Sequence, residues 1–200
     1  MVGAGRPRGR LHDGEGGARG ARAAPRLAFR IAVAPVLPWD GCGMRIIQGL
    51  IGLVRRPMAE RHARGKAIAE LVGELEVSGR ELDRRMNGRP DTPGNREAVA
   101  HWVGIERWGQ RRLRVALGEP FVEDTYRPYR PDVDEGFEVL RAAFADTRAE
   151  TVALARRLDE KGVDPAVIVP HNDLGELSVG GWLAYLIQHP DQESRGRLRG

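Results

Sequence analysis

Residues 137–158 read FEVLRAAFADTRAETVALARRL. Phe137, Leu140, Phe144, Thr147, Thr151, Leu154 and Leu158 alternate three and four apart over three heptads. Residues at that spacing lie in one stripe on an α-helix. A stripe this regular is the seam of a helical bundle. Asp134 can cap the helix and Gly162 terminates it.

Three more helical patterns surround the seam. From Glu60 to about Met86, apolar residues fall at Ile68, Leu71, Val72, Leu75, Leu82 and Met86, with a break expected only near Ser78 and Gly79. Asn87-Gly88 is a stop, and Pro90 and Pro93 keep the next residues out of helix. A second helix is expected from about Asn95, a natural N-cap, to Leu117; Val99, Trp102, Val103, Leu113 and Leu117 mark its apolar side. Residues 119–133, EPFVEDTYRPYRPDV, hold three prolines and form a long crossover that lets the seam helix return parallel to the one before it. The last helix begins at Ser178 and runs through Trp182, Leu183, Leu186 and Ile187 to His189. Pro190 lacks a donor for the carbonyl of Leu186, so a kink or an early end is expected there. No strand-like alternation competes. The expected fold is all-α, an up-and-down four-helix bundle with a long crossover between its second and third helices.

The N-terminal stretch is different in kind. Of residues 1–43, 28 are Gly, Ala, Arg or Pro, too few apolar groups to offset chain entropy, so a disordered extension is expected. It holds seven Arg against three acids. The remaining 157 residues carry 25 bases and 25 acids, so the bundle itself offers no compositional reason to bind nucleic acid. A basic arm and a targeting peptide are weaker accounts of residues 1–43 than a dispensable extension, with Met44 or Met58 as the true start. Residues 44–59 contain IIQGLIGLV at 46–54, a lead-in or accessory helix whose apolar face is one surface for a homodimer. No apolar run is long enough to span a membrane. The single cysteine, Cys42, excludes a disulfide scaffold and a multi-thiolate zinc site.

Candidate chemistry rests on histidines. His12 lies in the extension and His62 opens the first helix, where it is expected to be solvated. His101 sits beside the apolar stripe of the second helix, and His189 ends the apolar run of the fourth. Glu193 follows His189 by four residues and shares its face on a continuous helix. Together His101, His189 and Glu193 form a two-histidine, one-carboxylate set of the kind that holds a divalent metal with open positions. Glu106, five residues after His101, is a poor partner for it and is expected at the surface or behind the ligands. No nucleophile elbow or phosphate-binding loop is present.

The segments HWVGIERW at 101–108 and HNDLGELSVGGWLAYLIQH at 171–189 resemble the DinB-like superfamily of bacterial four-helix proteins, of the DinB-2 type, over roughly residues 60–200. The resemblance implies a cytoplasmic bundle whose second helix gives one metal-binding His and whose fourth gives an H-x3-H pair. His101 and His189 match the first two positions; Glu193 stands at the third, with Pro190 between. His171 is the reserve ligand. The resemblance implies a divalent metal, and imidazole donors suit zinc or nickel. It leaves two activities: a non-catalytic binding or stress-related module with a degenerate site, or a metal-dependent thiol S-transferase or thiol-dependent isomerase using a small-molecule thiol.

Overall fold

The computed structural model describes residues 55–199. The extension at 1–43 and the 46–54 segment therefore lie outside the described residues. Residues 55–63 form a helix, α1. The bundle follows as α2 (Ile68–Met86), α3 (Pro93–Val115), α4 (Phe137–Glu160) and α5 (Val179–Arg197). No described helix is long and apolar enough to cross a membrane.

The seam holds throughout, for all seven of its residues are buried in α4. Three facing pairs fix its direction: Trp102 with Phe144, Glu106 with Arg148, and Gln110 with Thr151. Rising numbers meet rising numbers, so α3 and α4 run parallel, as a long crossover permits. By contrast Arg141 pairs with Asp83 and Arg156 with Glu76, so α2 is antiparallel to α4. Asn95, at the start of α3, meets Arg199 just beyond α5, so those two are antiparallel. The order is up, down, down, up. Helices α4 and α5 each pack on both α2 and α3, which places α2 across from α3 and α4 across from α5.

Several local expectations are corrected. The break before α2 falls at residues 64–67, not at Ser78-Gly79. Gly79 lies inside α2, where a Cβ would stand 2.9 Å from Cγ of Arg148; glycine is there to let that side chain pass. The cap of α3 is Thr92, whose Oγ1 accepts from the Asn95 N–H, with Pro93 in the first turn. Asn95 is instead fully buried, donating to the carbonyls of Pro90 and Arg199 and accepting from the Arg199 N–H. It fastens the chain end to the bundle.

A β-hairpin also appears where no strand was expected. Strand β1 (Ile168–His171) pairs antiparallel with β2 (Gly175–Ser178). Four residues with a proline among them are too few for alternation to register in sequence. The hairpin leads straight into α5, whose cap is the expected Ser178; its Oγ accepts from the Gly181 N–H at 2.8 Å. Glu60 of α1 accepts from both the N–H and the hydroxyl of Ser178, so α1 is tied to the start of α5.

The crossover is held by Arg112, 1% exposed, with its guanidinium over the rings of Trp108 and Phe121. Arg112 also donates to the Val122 carbonyl, the Asp124 carbonyl and Asn172 Oδ1, joining crossover to hairpin.

Candidate metal centre

Two helices bring the expected residues together. His101 projects from α3; His189 and Glu193 project from α5. The helices approach closely because Gly109 offers no side chain: a Cβ there would stand 2.7 Å from a Leu186 methyl.

Glu193 reaches the site only because α5 runs on through Pro190 to Arg197. The proline ring removes the donor that would serve the Leu186 carbonyl. Arg148 supplies another, donating from Nη2 to Leu186 O at 3.0 Å. That arginine is itself buried and paired with buried Glu106, at 2.8 Å and 2.9 Å on the two carboxylate oxygens. Burial raises the Glu106 carboxyl above its ordinary value against the pull of Arg148. Of the two places expected for Glu106, the surface is excluded, for it is buried. It braces the arginine that repairs α5 where Pro190 interrupts it.

At the centre, His101 Nε2 lies 3.1 Å from His189 Nε2 and 3.5 Å from a Glu193 oxygen; His189 Nε2 lies 3.6 Å from the other. A metal held about 2.1 Å from each donor sets neighbouring donors about 3.0 to 3.4 Å apart at angles of 90 to 109°. The donor types and separations fit such an ion.

The surroundings show how the cluster is satisfied. Trp102 Nε1 donates to Glu193 Oε2 at 3.1 Å, and Arg197 and Arg55 stand 3.4 and 3.9 Å from the carboxylate. Arg55 Nη1 lies 3.1 Å from His189 Nδ1. A guanidinium can only donate, so Nδ1 accepts, and the proton of neutral His189 sits on Nε2, directed at His101. A ligating histidine ordinarily donates from its outer nitrogen. Metal uptake through His189 Nε2 therefore requires that proton to leave Nε2 and Arg55 to turn away from Nδ1. Burial, with Arg197 and Arg130 adding to it, pulls His101 down to about 4. Burial also holds His189 well below its usual range, with His101 and Arg55 contributing. Both imidazoles are neutral near pH 7, the form that ligates.

A cavity of about 350 Å³ opens beside the cluster. Ile105, Trp108, Tyr126 and Tyr185 give it apolar and aromatic walls, and His101 meets Tyr126 edge-on at 4.9 Å. His171 lines the same cavity but does not join the donor cluster. Its ring stacks on Trp182 at 4.8 Å, and its Nδ1 accepts from the N–H groups of Asp173 and Leu174. Its Nδ1 is committed to the hairpin, and the ring stands outside the donor cluster. His62, expected to be solvated, is half-buried against Glu74 and Lys66.

Among the described residues, His101, His189 and Glu193 are the group of histidine and carboxylate side chains spaced to hold a metal ion. Fold and site together define a four-helix protein with a two-histidine, one-carboxylate cluster between its second and fourth bundle helices. The family model of the DinB superfamily matches residues 66–192, and the chain belongs to that superfamily. No match to the chain is found among curated proteins or solved structures.

Sequence reasoning missed Arg55, Arg197, Trp102 and the Arg148 brace. Arg197 carried a signal, since it follows Glu193 by four residues on one helix. Arg55 carried none; its contact with His189 spans 134 residues.

Proposed function

We propose that the protein is a divalent-metal-binding module of the DinB superfamily, in which His101, His189 and Glu193 hold zinc or nickel and the adjoining cavity admits a small molecule. The observation that carries this reading is the convergence of the three donors at 3.1 to 3.6 Å from two helices of a well-packed bundle. Imidazole and carboxylate suit both ions, and three protein ligands leave coordination positions open. Arg55 and Arg197 place two positive charges against the same site, so affinity is lower than for a site without them. Titration of the metal-free protein with zinc and with nickel, beside His101→Ala and Glu193→Ala, tests the reading. Wild type binds one equivalent and both variants bind more weakly. Binding equal to that of His101→Ala refutes it.

The cavity beside the donors favours one further reading, metal-dependent thiol S-transfer or thiol-dependent isomerisation. A bound ion would lower the pKa of a small-molecule thiol. The chain's own residues would enclose that thiol between Trp108, Tyr126 and Tyr185. Thiolate ultraviolet absorbance that appears when a small thiol meets the zinc-loaded protein, and not the metal-free one, supports this reading.

A further inference from the structure

Helix α1 precedes the segment that the family model matches, and one of its faces carries a cation to the metal cluster. Arg55, Ala59 and Ala63 recur every four residues and so share that face. Ala59 and Ala63 are buried in the core. A Cβ at Gly180 would stand 3.1 Å from that of Ala63, and one at Gly181 would collide with the Glu60 carboxylate, so the two glycines give α1 its seat on α5. Glu60 accepts from the Ser178 N–H at 2.8 Å and from its hydroxyl at 2.9 Å, which fixes the register. Residue 60 meets residue 178 and residue 55 meets residue 189, so α1 runs antiparallel to α5.

The face ends in a charge where its other two members are small and apolar. Arg55 Nη1 lies 3.1 Å from His189 Nδ1, and Nη2 lies 3.9 Å from Glu193 Oε1. One guanidinium therefore engages two of the three candidate ligands. At His189 it keeps the proton on Nε2, and at Glu193 it shares the carboxylate. A divalent ion needs the opposite at both residues, a bare Nε2 and a free oxygen. Arg197, the other guanidinium at the cluster, pairs with Glu193 and leaves the imidazole alone. The Arg55 side chain is 33% exposed, so it can turn out to solvent while Ala59 and Ala63 stay in place.

We propose that Arg55 is a gate on the metal centre: its guanidinium closes the cluster from α1, and the ion enters only those molecules in which it has turned outward. The proposal rests on the metal reading of the site and adds how that site is controlled. Where an ion binds one of two states, its apparent affinity and association rate scale with the fraction in that state. The coupling is reciprocal, so an ion that Arg55 keeps out in turn keeps Arg55 out. Helix α1 is the mount of the gate, set on the bundle by Ala59, Glu60 and Ala63.

Zinc uptake by the metal-free full chain, followed in stopped flow by tryptophan fluorescence, tests the gate, since Trp102 donates to Glu193. Arg55→Ala takes up zinc about tenfold faster than wild type and loses it at nearly the same rate. Arg56→Ala is the control. It removes an equal charge from the next residue, which is exposed, and at physiological ionic strength leaves uptake nearly unchanged. In the wild type, zinc bares Arg55, so its labelling by phenylglyoxal, mapped by mass spectrometry, rises severalfold while that of Arg56 stays constant. Equal uptake by wild type and Arg55→Ala overturns the proposal, and so does labelling of Arg55 that zinc leaves unchanged. Equal acceleration in Arg55→Ala and Arg56→Ala also overturns it, by assigning the effect to net charge. If neither wild type nor Arg55→Ala takes up zinc, the metal reading falls and the gate with it; uptake by both at equal rates removes the gate alone.

Discussion

Glu106 and Glu193 both enter the interior of the bundle, and they are satisfied in opposite ways. Glu106 is paired with Arg148, which stands 2.8 and 2.9 Å from its two oxygens and also donates to the Leu186 carbonyl. Glu193 has a closer contact with Trp102 and looser ones with His101, His189, Arg197 and Arg55, spread from 3.1 to 3.9 Å. Its neighbours are two neutral imidazoles whose Nε2 atoms lie 3.1 Å apart, and a cavity adjoins them. A closed ion pair fixes structure, whereas an open cluster of mixed donors can accept an ion. The two are linked, because Arg148 serves the carbonyl that Pro190 strands and so keeps α5 straight enough to deliver Glu193.

Breaking the closed pair has the largest expected effect. Arg148→Ala leaves a buried carboxylate and an unserved carbonyl, and should cost about 3 to 5 kcal/mol in denaturant unfolding; a cost under about 1 kcal/mol would show that water replaces the guanidinium. Phe144→Ala, mid-seam beside Trp102, should cost about 3 kcal/mol by the same measurement. At the open cluster the expected sign is reversed. Arg55→Ala removes the guanidinium that competes for His189 Nδ1 and should tighten zinc binding about tenfold, or 1.4 kcal/mol, with little change in unfolding. Unaltered zinc affinity would mean that Arg55 leaves the histidine at no cost. The smallest effect is on pH. His171 has its folded pKa lowered from 6.5 to about 3, so the unfolded chain takes up its proton first. Stability falls as pH drops below about 6.5 and goes on falling toward 3, with under about 1 kcal/mol lost from this residue between pH 7 and 6. His171→Phe should flatten that slope in thermal melts.

The fold was legible because its signals are periodic. The seam of α4 and the long crossover were enough to place α3 and α4 parallel, since both follow from spacing along one chain. His101, His189 and Glu193 could be named for the same reason: two share a helix face, and the third stands on the other helix of the resemblance. The tautomer of His189 was not legible, because it depends on Arg55 from a helix outside the bundle pattern. Nor was the hairpin, whose four-residue strands carry no period. Pro190 pointed to a kink; the remedy lay on a different helix, in Arg148, and a partner 38 residues away leaves no mark in local spacing.

The central claim is that the open cluster is a metal site made of two imidazoles and one carboxylate. X-ray absorption at the zinc edge of the zinc-loaded full chain tests it most directly. The account predicts first-shell nitrogen and oxygen near 2.0 to 2.2 Å with the outer-shell scattering of two imidazole rings, one of which is lost in His101→Ala. A spectrum without imidazole scattering, or one that His101→Ala leaves unchanged, would contradict it.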